Sequence, residues 1–526
     1  MKSRRQPARF VLFSLAVACA GCAETPREPP NIIFVFADDH ATQAVGAYGS
    51  RLAPLDPTPN IDRLAAEGML FRSAFVTNSI CAPSRAVILT GQFSHMNGVL
   101  TNAERFDSTQ MTFPQLLQNA GYQTAIVGKW HLKSDPVGFD FWEVLPGQGV
   151  YYNPDFRTPE GMVRDTGYVT DLITDKVLDW LQEGRDPARP FMVMYQHKAP
   201  HREWMPGPDH LSTFSNVEIP EPPTLFDDYS GRTTATRTQA MSIDVDMSFG
   251  YDLKLWPNTV DPDQDLNSAV ERARARMTEE QLGAWDAYYG PVSASFSGAP
   301  PEGPDLVRWK YRRYMEDYLR SIRSIDDNLG RLLAFLEESG LAENTVVVYN
   351  SDQGFFLGEH GWFDKRWMYE ESLRAPLVVR WPGVVEPGSE NNDLVQNLDF
   401  AQTFLDMAGI VAPEAMQGTS LVPILEGETP GNWRDAIYYQ YHEFPGAHSV
   451  QRHYGVRTDR YKLIHYYLLD EWELFDLEAD PDELQSVYED PAYSEVRRAL
   501  GSRLDELRAQ YQVPDVDPVP VPGGGG

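Results

Sequence analysis

Cysteine is scarce in this sequence: 526 residues contain three, at positions 19, 22 and 81. The first two fall in an N-terminal stretch with the features of an export signal, so the mature chain would retain Cys81 alone. One cysteine cannot close an intramolecular bridge, and a disulfide scaffold is therefore excluded. A lone cysteine usually acts as a small buried apolar residue, so only its neighbours can indicate a chemical role.

Positive charge is also in short supply. There are 45 Lys and Arg residues against 76 Asp and Glu residues, which gives a formal net charge of -31. A nucleic-acid-binding protein normally shows a basic footprint, so we expect no nucleic acid partner. An anionic substrate would be repelled at long range, and its site would need a local group of Arg, Lys and His.

Long apolar runs are absent as well. The run over 11–18 is too short to span a bilayer, and it follows the basic residues Lys2, Arg4 and Arg5, a pattern typical of a signal peptide. Ala20-Gly21-Cys22 resembles the end of a lipobox, although ordinary cleavage near residue 20 remains open. We therefore predict a signal peptide over 1–22 and export to the periplasm or cell surface. Lipidation of Cys22 would anchor the protein to the membrane.

After a Pro-rich tether over 23–30, continuous apolar runs alternate with helical patterns. Such runs are typical of strands buried on both faces of a parallel sheet. The alternation predicts an α/β fold, with a large mixed, mainly parallel sheet flanked by helices, over a large domain at 31–432. The predicted strands are 32–36, 124–127, 191–195, 345–349 and 377–380.

Two regions depart from that pattern. Residues 215–305 are rich in Asp, Pro, Thr and Ser, so we expect an irregular insertion over the active-site edge. From 433 onward, short strand patterns and a final helix predict a small C-terminal α+β domain with a short antiparallel sheet, ending at 512. The Pro/Gly-rich segment 513–526 is predicted to be a disordered tail.

Ionisable residues follow the predicted strands where each one ends. Any one of them, taken alone, is better explained as a solvated carboxylate or a structural histidine. Together they indicate a site, because open α/β sheets bind ligands beyond the carboxyl ends of their strands. His197 has no clear role and is interpreted as structural. The residues that follow the first four strands are Asp38 and Asp39, then Lys129 and His131, then His197 and His201, then Asp352.

One motif indicates the chemistry. The run Cys81-Ala82-Pro83-Ser84-Arg85, followed by Thr90-Gly91, resembles the signature of the type I, formylglycine-dependent sulfatases of the alkaline phosphatase superfamily. Pro83 suits the first turn of a helix, and a helix N-terminus favours an anion, with Arg85 adding charge-assisted hydrogen bonds. In that family a maturation enzyme converts the cysteine to formylglycine, and the hydrated aldehyde attacks sulfur.

The resemblance also implies roles for the other residues. Lys129 would contact the sulfate, and His131 would be the base that breaks down the sulfated intermediate. His201 and Lys365 would lie near the leaving oxygen. The implied cofactor is calcium, since its ligands are hard oxygens. The implied metal ligands are Asp38, Asp39, Cys81 as formylglycine, Asp352 and Gln353, where Gln353 replaces the Asn or His usual in the family.

The segment over 352–382 resembles bacterial sulfatases that act on N-acetylglucosamine 6-sulfate of glycosaminoglycans or mucins. We therefore expect a sulfuric ester hydrolase that acts on a sulfated carbohydrate. His360, Arg452 and His453 are candidates for contacting the sugar. Two alternatives remain open: a phosphonate monoester or phosphodiester hydrolase of the same superfamily, and a catalytically inactive glycan-binding lipoprotein.

Overall fold

The computed structural model describes residues 28–257 and 264–516. The predicted signal peptide, Cys22 and most of the predicted tail lie outside these ranges. The strands are β1 Asn31–Ala37, β2 Met69–Phe71, β3 Ala74–Phe75, β4 Gln123–Lys129, β5 Phe141–Leu145, β6 Asp155–Thr158, β7 Gly161–Arg164, β8 Phe191–Gln196, β9 Thr345–Ser351, β10 Phe356–Leu357, β11 Phe363–Asp364, β12 Leu377–Arg380, β13 Ser389–Asn391, β14 Val395–Gln396, β15 Ala436–Tyr441, β16 His453–Thr458, β17 Tyr461–Tyr466 and β18 Glu471–Asp476.

Helices connect and cover these strands. They are α1 Pro59–Ala66, α2 Cys81–Thr90, α3 Ser94–Asn97, α4 Phe113–Asn119, α5 Val169–Asp179, α6 Ala235–Thr238, α7 Gln264–Arg276, α8 Glu279–Gly298, α9 Pro304–Glu338, α10 Glu370–Leu373, α11 Phe400–Met407, α12 Val422–Leu425 and α13 Ser494–Gln510. None of the helices in the described ranges is both long enough and apolar enough to cross a membrane.

A ten-stranded sheet forms the centre of the molecule, in the order β13-β2-β12-β9-β1-β8-β4-β5-β6-β7. The five strands from β9 to β5 run parallel, and β12, β6 and β7 add antiparallel pairs. Side chains of β1 point alternately into two cores: Ile33 joins residues of α1, α5 and α9, while Phe34 joins residues of α2, α4 and α11. Because helices cover both faces, the central strands are apolar throughout, and the predicted fold is confirmed.

The C-terminal region forms the predicted antiparallel sheet, in the order β15-β16-β17-β18. Leu500, Leu504 and Leu507 of α13 share a buried cluster with Val456 and Leu463 of this sheet. The leucines are spaced three or four residues apart, so they lie on one face of α13 and bind the helix to the sheet.

The expectation of an irregular insertion is wrong for residues 264–298, which form α7 and α8. Thr278 caps α8, because its hydroxyl accepts a hydrogen bond from the Gln281 N–H at 3.2 Å while the Gln281 side chain accepts one from the Thr278 N–H. Trp285 and Tyr289 then bury their rings at the inner side of the helix. The helical period is hard to detect in the sequence because Gly, Ser and Pro291 occupy much of α8.

Candidate active site

The carboxyl edge of the parallel strands brings the predicted residues together. Asp38 and Asp39 follow β1, Lys129 ends β4, His201 follows β8 and Asp352 follows β9. Neighbouring parallel strands end at the same edge, so residues distant in sequence become neighbours in space. One oxygen from each of Asp38, Asp39 and Asp352 lies within 4.8 Å of the others, and all three residues are fully buried.

Cys81 is the first residue of α2, and all ten residues of this helix are buried. Its sulfur lies 3.4 Å from Asp38 Oδ1 and 3.3 Å from Lys365 Nζ. Burial, and next the negative charge of Asp38, raise the pKa of the Cys81 thiol to about 12. The thiol is therefore protonated at neutral pH, and as an unmodified cysteine it would be a weak nucleophile.

The carboxylate group fits a hard cation. Burial, and next the charge of Asp38, raise the pKa of Asp352 to about 8, so its ionised form is disfavoured until a positive charge comes near. Asp39 Oδ2 and Gln353 Oε1 are buried and have no hydrogen-bond partner within the described ranges. Unpaired buried oxygens beside ionisable carboxylates are ligands suited to calcium, and the residues present therefore fit that ion.

Three cations lie among the carboxylates. Lys129 pairs with Asp38, and Lys365 pairs with Asp39. Arg85 Nη2 lies 3.1 Å from Asp352 Oδ2, while its Nη1 donates to the Lys129 carbonyl at 2.7 Å. The charges thus alternate, and each cation is held in place by an acid before any ligand arrives.

A glycine sets the position of Lys129. Gly128 has φ +108°, and a Cβ atom added there would lie 1.8 Å from the Gln196 carbonyl oxygen of the adjacent strand β8. No side chain fits in that gap, so the chain needs glycine directly before Lys129. The close approach lets β4 deliver Lys129 next to the residues that follow β8.

The predicted histidines adjoin this cluster. His201 Nε2 lies 3.8 Å from Asp39 Oδ2, and His201 Nδ1 lies 2.5 Å from the Arg202 carbonyl oxygen. Burial, and next the positive charge of Lys129, hold the pKa values of His131 and His201 well below the ordinary histidine value. Both imidazoles are therefore neutral at neutral pH. His197 is fully buried against the ring of Tyr195, with centroids 4.4 Å apart.

Two of the three predicted sugar contacts have other partners within the fold. His453 Nε2 accepts a hydrogen bond from the Met368 N–H at 3.1 Å, and its Nδ1 lies 2.7 Å from the Gln451 carbonyl oxygen. Both ring nitrogens therefore contact backbone groups. His360 is fully buried, with Nδ1 3.1 Å from Asp227 Oδ2 and its ring against Trp362. Within the described ranges, no hydrogen bond or ring contact joins either side chain to the cluster around Cys81, so their contact with a sugar stays a prediction. The third, Arg452, is buried at 1% exposure.

Sequence reasoning missed a network beside Lys365. Asp364 and Arg366 flank this lysine in left-handed backbone conformations, with φ +79° and +94°. Arg366 pairs with Asp364, and His448 Nε2 lies 3.1 Å from Asp364 Oδ2. The sequence does contain one indication of this network, the charged run Asp364-Lys365-Arg366 inside an otherwise aromatic segment. His448 carries no comparable signal, because only the fold brings it there.

Comparison with known proteins identifies the chain. The family model described as Sulfatase matches residues 30–410, well over half of the sequence. The chain belongs to the sulfatase family. A second model, described as the C-terminal part of N-sulphoglucosamine sulphohydrolase, matches residues 358–510 of this sulfatase. The enzyme is accordingly a sulfuric ester hydrolase.

Individual relatives agree with this assignment. An N-acetylglucosamine-6-O-sulfatase of Bacteroides thetaiotaomicron is 48% identical over 98% of this chain and 93% of its own length. The human N-acetylglucosamine-6-sulfatase is 28% identical over 78% of this sulfatase and 67% of its own length. A solved structure of a protein in complex with its substrate D-glucosamine-2-N,6-O-disulfate superposes with a TM-score of 0.89. That protein is 48% identical, and the match covers 94% of this sulfatase and 100% of the solved chain.

Tyr318 of α9 supports the turn that carries the acidic residues. Its hydroxyl donates to the Asp39 carbonyl at 2.7 Å and accepts from the Ala41 N–H at 2.9 Å. Asp39 has φ +71°, a strained conformation for a residue with a side chain. The two hydrogen bonds span this residue, so Tyr318 holds it in the conformation that directs its carboxylate toward Asp38 and Asp352.

Replacing Tyr318 by Phe should weaken calcium binding by about tenfold or more, because supporting residues orient metal ligands. Isothermal titration of the full chain with calcium measures this directly. Tyr314→Phe is the matched control: it lies one turn earlier on α9, is equally buried, and donates to the Phe356 carbonyl at 2.9 Å. Equal calcium affinity in the two variants would show that Tyr318 does not position Asp39.

Proposed function

We propose that this sulfatase removes the 6-O-sulfate of a sulfated glucosamine residue of glycosaminoglycan or mucin type, using calcium and a formylglycine made from Cys81. The observation that carries the proposal is the position of Cys81, which begins a buried helix with its sulfur in contact with both Asp38 and Lys365. The named activity of the relative that is 48% identical supports the choice of sugar.

Modification at Cys81 suits this position. The thiol pKa of about 12 leaves a cysteine there almost wholly protonated. A formylglycine hydrate would supply an oxygen nucleophile at the same place, next to the Asp38 carboxylate, which can accept its proton. A dedicated maturation enzyme is therefore an expected partner of the newly made chain.

The metal ligands in the proposal are Asp38, Asp39, Asp352, Gln353 and the modified residue 81. Calcium, when bound, supplies a Lewis acid that polarises the sulfate oxygens. Lys129, Arg85 and Lys365 bind the anionic sulfate and orient it toward residue 81. These cations are already fixed by their ion pairs, so little reorganisation is needed when the substrate enters.

The two neutral histidines have different positions in the proposed reaction. His131 is deprotonated because its pKa is low, and it acts as the base that breaks down the sulfated enzyme. Lys365 donates a hydrogen bond to the leaving sugar oxygen and stabilises its developing negative charge, while His201 lies near that oxygen. The buried Asp364, Arg366 and His448 lie next to Lys365, where they can bind the hydroxyl groups of the sugar.

Export belongs to the same proposal. The signal pattern and the sequence around Cys22 support a periplasmic or cell-surface enzyme with a lipid anchor, although residues 1–27 lie outside the described ranges. Mass spectrometry of the mature N-terminus should find an acylated Cys22 in the membrane fraction. An unmodified N-terminus in the soluble periplasmic fraction would contradict the anchor.

Relative rates on matched substrates test the activity. The calcium-loaded full chain should release sulfate from N-acetylglucosamine 6-sulfate at least about a hundredfold faster, in kcat/KM, than it hydrolyses an aryl phosphonate monoester. Cys81→Ala is the control, since it removes the nucleophile position and should abolish sulfate release. Faster phosphonate hydrolysis would favour the alternative hydrolase. Sugar binding without turnover by the fully matured enzyme would favour the inactive glycan-binding protein.

A further inference from the structure

Lys198 lies at the site but has no part in the chemistry described above. It follows β8, in the turn that leads to His201. The Lys198 carbonyl accepts the His201 N–H at 3.1 Å, and the next carbonyl, that of Ala199, accepts the Asp38 N–H at 3.1 Å. The backbone at Lys198 is therefore attached both to a proposed metal ligand and to a proposed leaving-group residue.

The ammonium group of Lys198 has no carboxylate partner in the part of the chain that the structure describes. The residue is 1% exposed, and its Nζ lies 4.5 Å from the centre of the Tyr151 ring. Within residues 28–257 and 264–516, this ammonium donates no hydrogen bond and forms no ion pair. A contact with an aromatic ring stabilises a buried cation less than the loss of hydration destabilises it, so Tyr151 compensates only in part.

The other two lysines of the site differ in this respect. Lys129 pairs with Asp38 and Lys365 pairs with Asp39. Of the three, only Lys198 forms no ion pair with a carboxylate in the described ranges. A buried cation without an acid is expected where an anionic ligand completes the pairing.

Electrostatics places Lys198 in the same cluster. Burial, and to a smaller extent the positive charge of Lys129, lower the pKa of Lys198 to about 8, while Glu203, Asp38 and Asp39 act in the opposite direction. The Tyr151 hydroxyl donates to the His201 carbonyl at 2.6 Å, so the ring beside Lys198 also supports His201. Tyr151 therefore connects the ammonium of Lys198 to the turn that carries His201.

We propose that Lys198 is a further anion-binding residue of this site, and that its ammonium pairs with a negatively charged sulfate group of the bound sugar. This inference rests on the proposed function. The group could be the 6-sulfate that is removed or a second sulfate on the same sugar. The chemistry of recognition is the same in both cases, and two ligands distinguish them.

Binding without turnover is the direct test. The full chain with Cys81→Ser and calcium is titrated calorimetrically with N-acetylglucosamine 6-sulfate and with D-glucosamine-2-N,6-O-disulfate. Adding Lys198→Met should weaken binding about tenfold or more, since a charge-assisted contact is lost. Weaker binding of both sugars identifies the 6-sulfate as the partner, and weaker binding of the disulfate alone identifies the second sulfate. Lys198→Arg should restore part of the affinity.

Lys176→Met is the matched control. Lys176 Nζ lies 4.7 Å from the centre of the Phe156 ring and pairs with Glu143 and Asp165, so this change removes the same charge from another lysine–aromatic contact. It should leave sugar affinity unchanged. Equal affinities of the Lys198→Met and Lys176→Met proteins would overturn the proposal.

Further variants distinguish a purely structural role of Lys198 from a role in sulfate binding. If Lys198→Met lowers the melting temperature, Lys198→Gln and Lys198→Arg are compared instead. Equal sugar affinity in that pair would mean that charge is irrelevant and that Lys198 only stabilises the fold, which overturns the proposal. If the Cys81→Ser parent binds neither sugar, the proposed function fails and the Lys198 assignment fails with it. If the parent binds and Lys198→Met binds equally well, only the Lys198 assignment fails.

Discussion

Asp38, Asp39 and Asp352 place carboxylates where solvent does not reach, and their charges must be compensated inside the protein. Removing one partner from a buried pair typically costs about 3–5 kcal/mol, because the other charge is left uncompensated. Arg85, Lys129 and Lys365 supply three positive charges to this group, each within reach of one of these acids. The remaining oxygens, on Asp39 and Gln353, still lack partners in the described part of the chain. These oxygens can therefore bind a divalent cation, and the three positive side chains can bind an anion beside it.

The strands and helices of the fold position these charged residues. The parallel strands β9, β1, β8 and β4 end side by side, and each delivers residues to one edge. The buried helix α2 brings Cys81 to the same edge, and the long helix α9 supports the Asp39 turn through Tyr318. The strands are held by apolar contacts on both faces, so the charged edge is positioned by a core that contains none of its chemistry.

The central sheet and the position of the site could be predicted because both are indicated by short, contiguous stretches of sequence. Uninterrupted apolar runs such as 32–36 mark strands covered on both faces, and the residues after them must share an edge. The motif at Cys81 is a contiguous run, so its meaning does not depend on distant parts of the chain. Calcium, formylglycine and the individual residue roles remain predictions, which the geometry supports without testing them.

The sequence was less informative where pairing depends on tertiary contacts. His360 and His453 resemble candidate ligands in the sequence, but the fold contacts His360 Nδ1, both nitrogens of His453 and both rings internally. His448 meets Asp364 from more than eighty residues away, which no short pattern reports. Helix α8 was missed because its stability comes from a cap and two buried aromatic rings, while its Gly, Ser and Pro content obscures the helical period.

The central claim is that residue 81 acts as formylglycine and not as cysteine. Mass spectrometry of the tryptic peptide that contains residue 81, taken from protein made in its native host, tests this most directly. We expect a peptide lighter by about 18 Da than the cysteine form, whereas ordinary thiol oxidation would make it heavier. An unmodified cysteine, in a host that matures its other sulfatases, would leave a protonated thiol in this position and would contradict the claim.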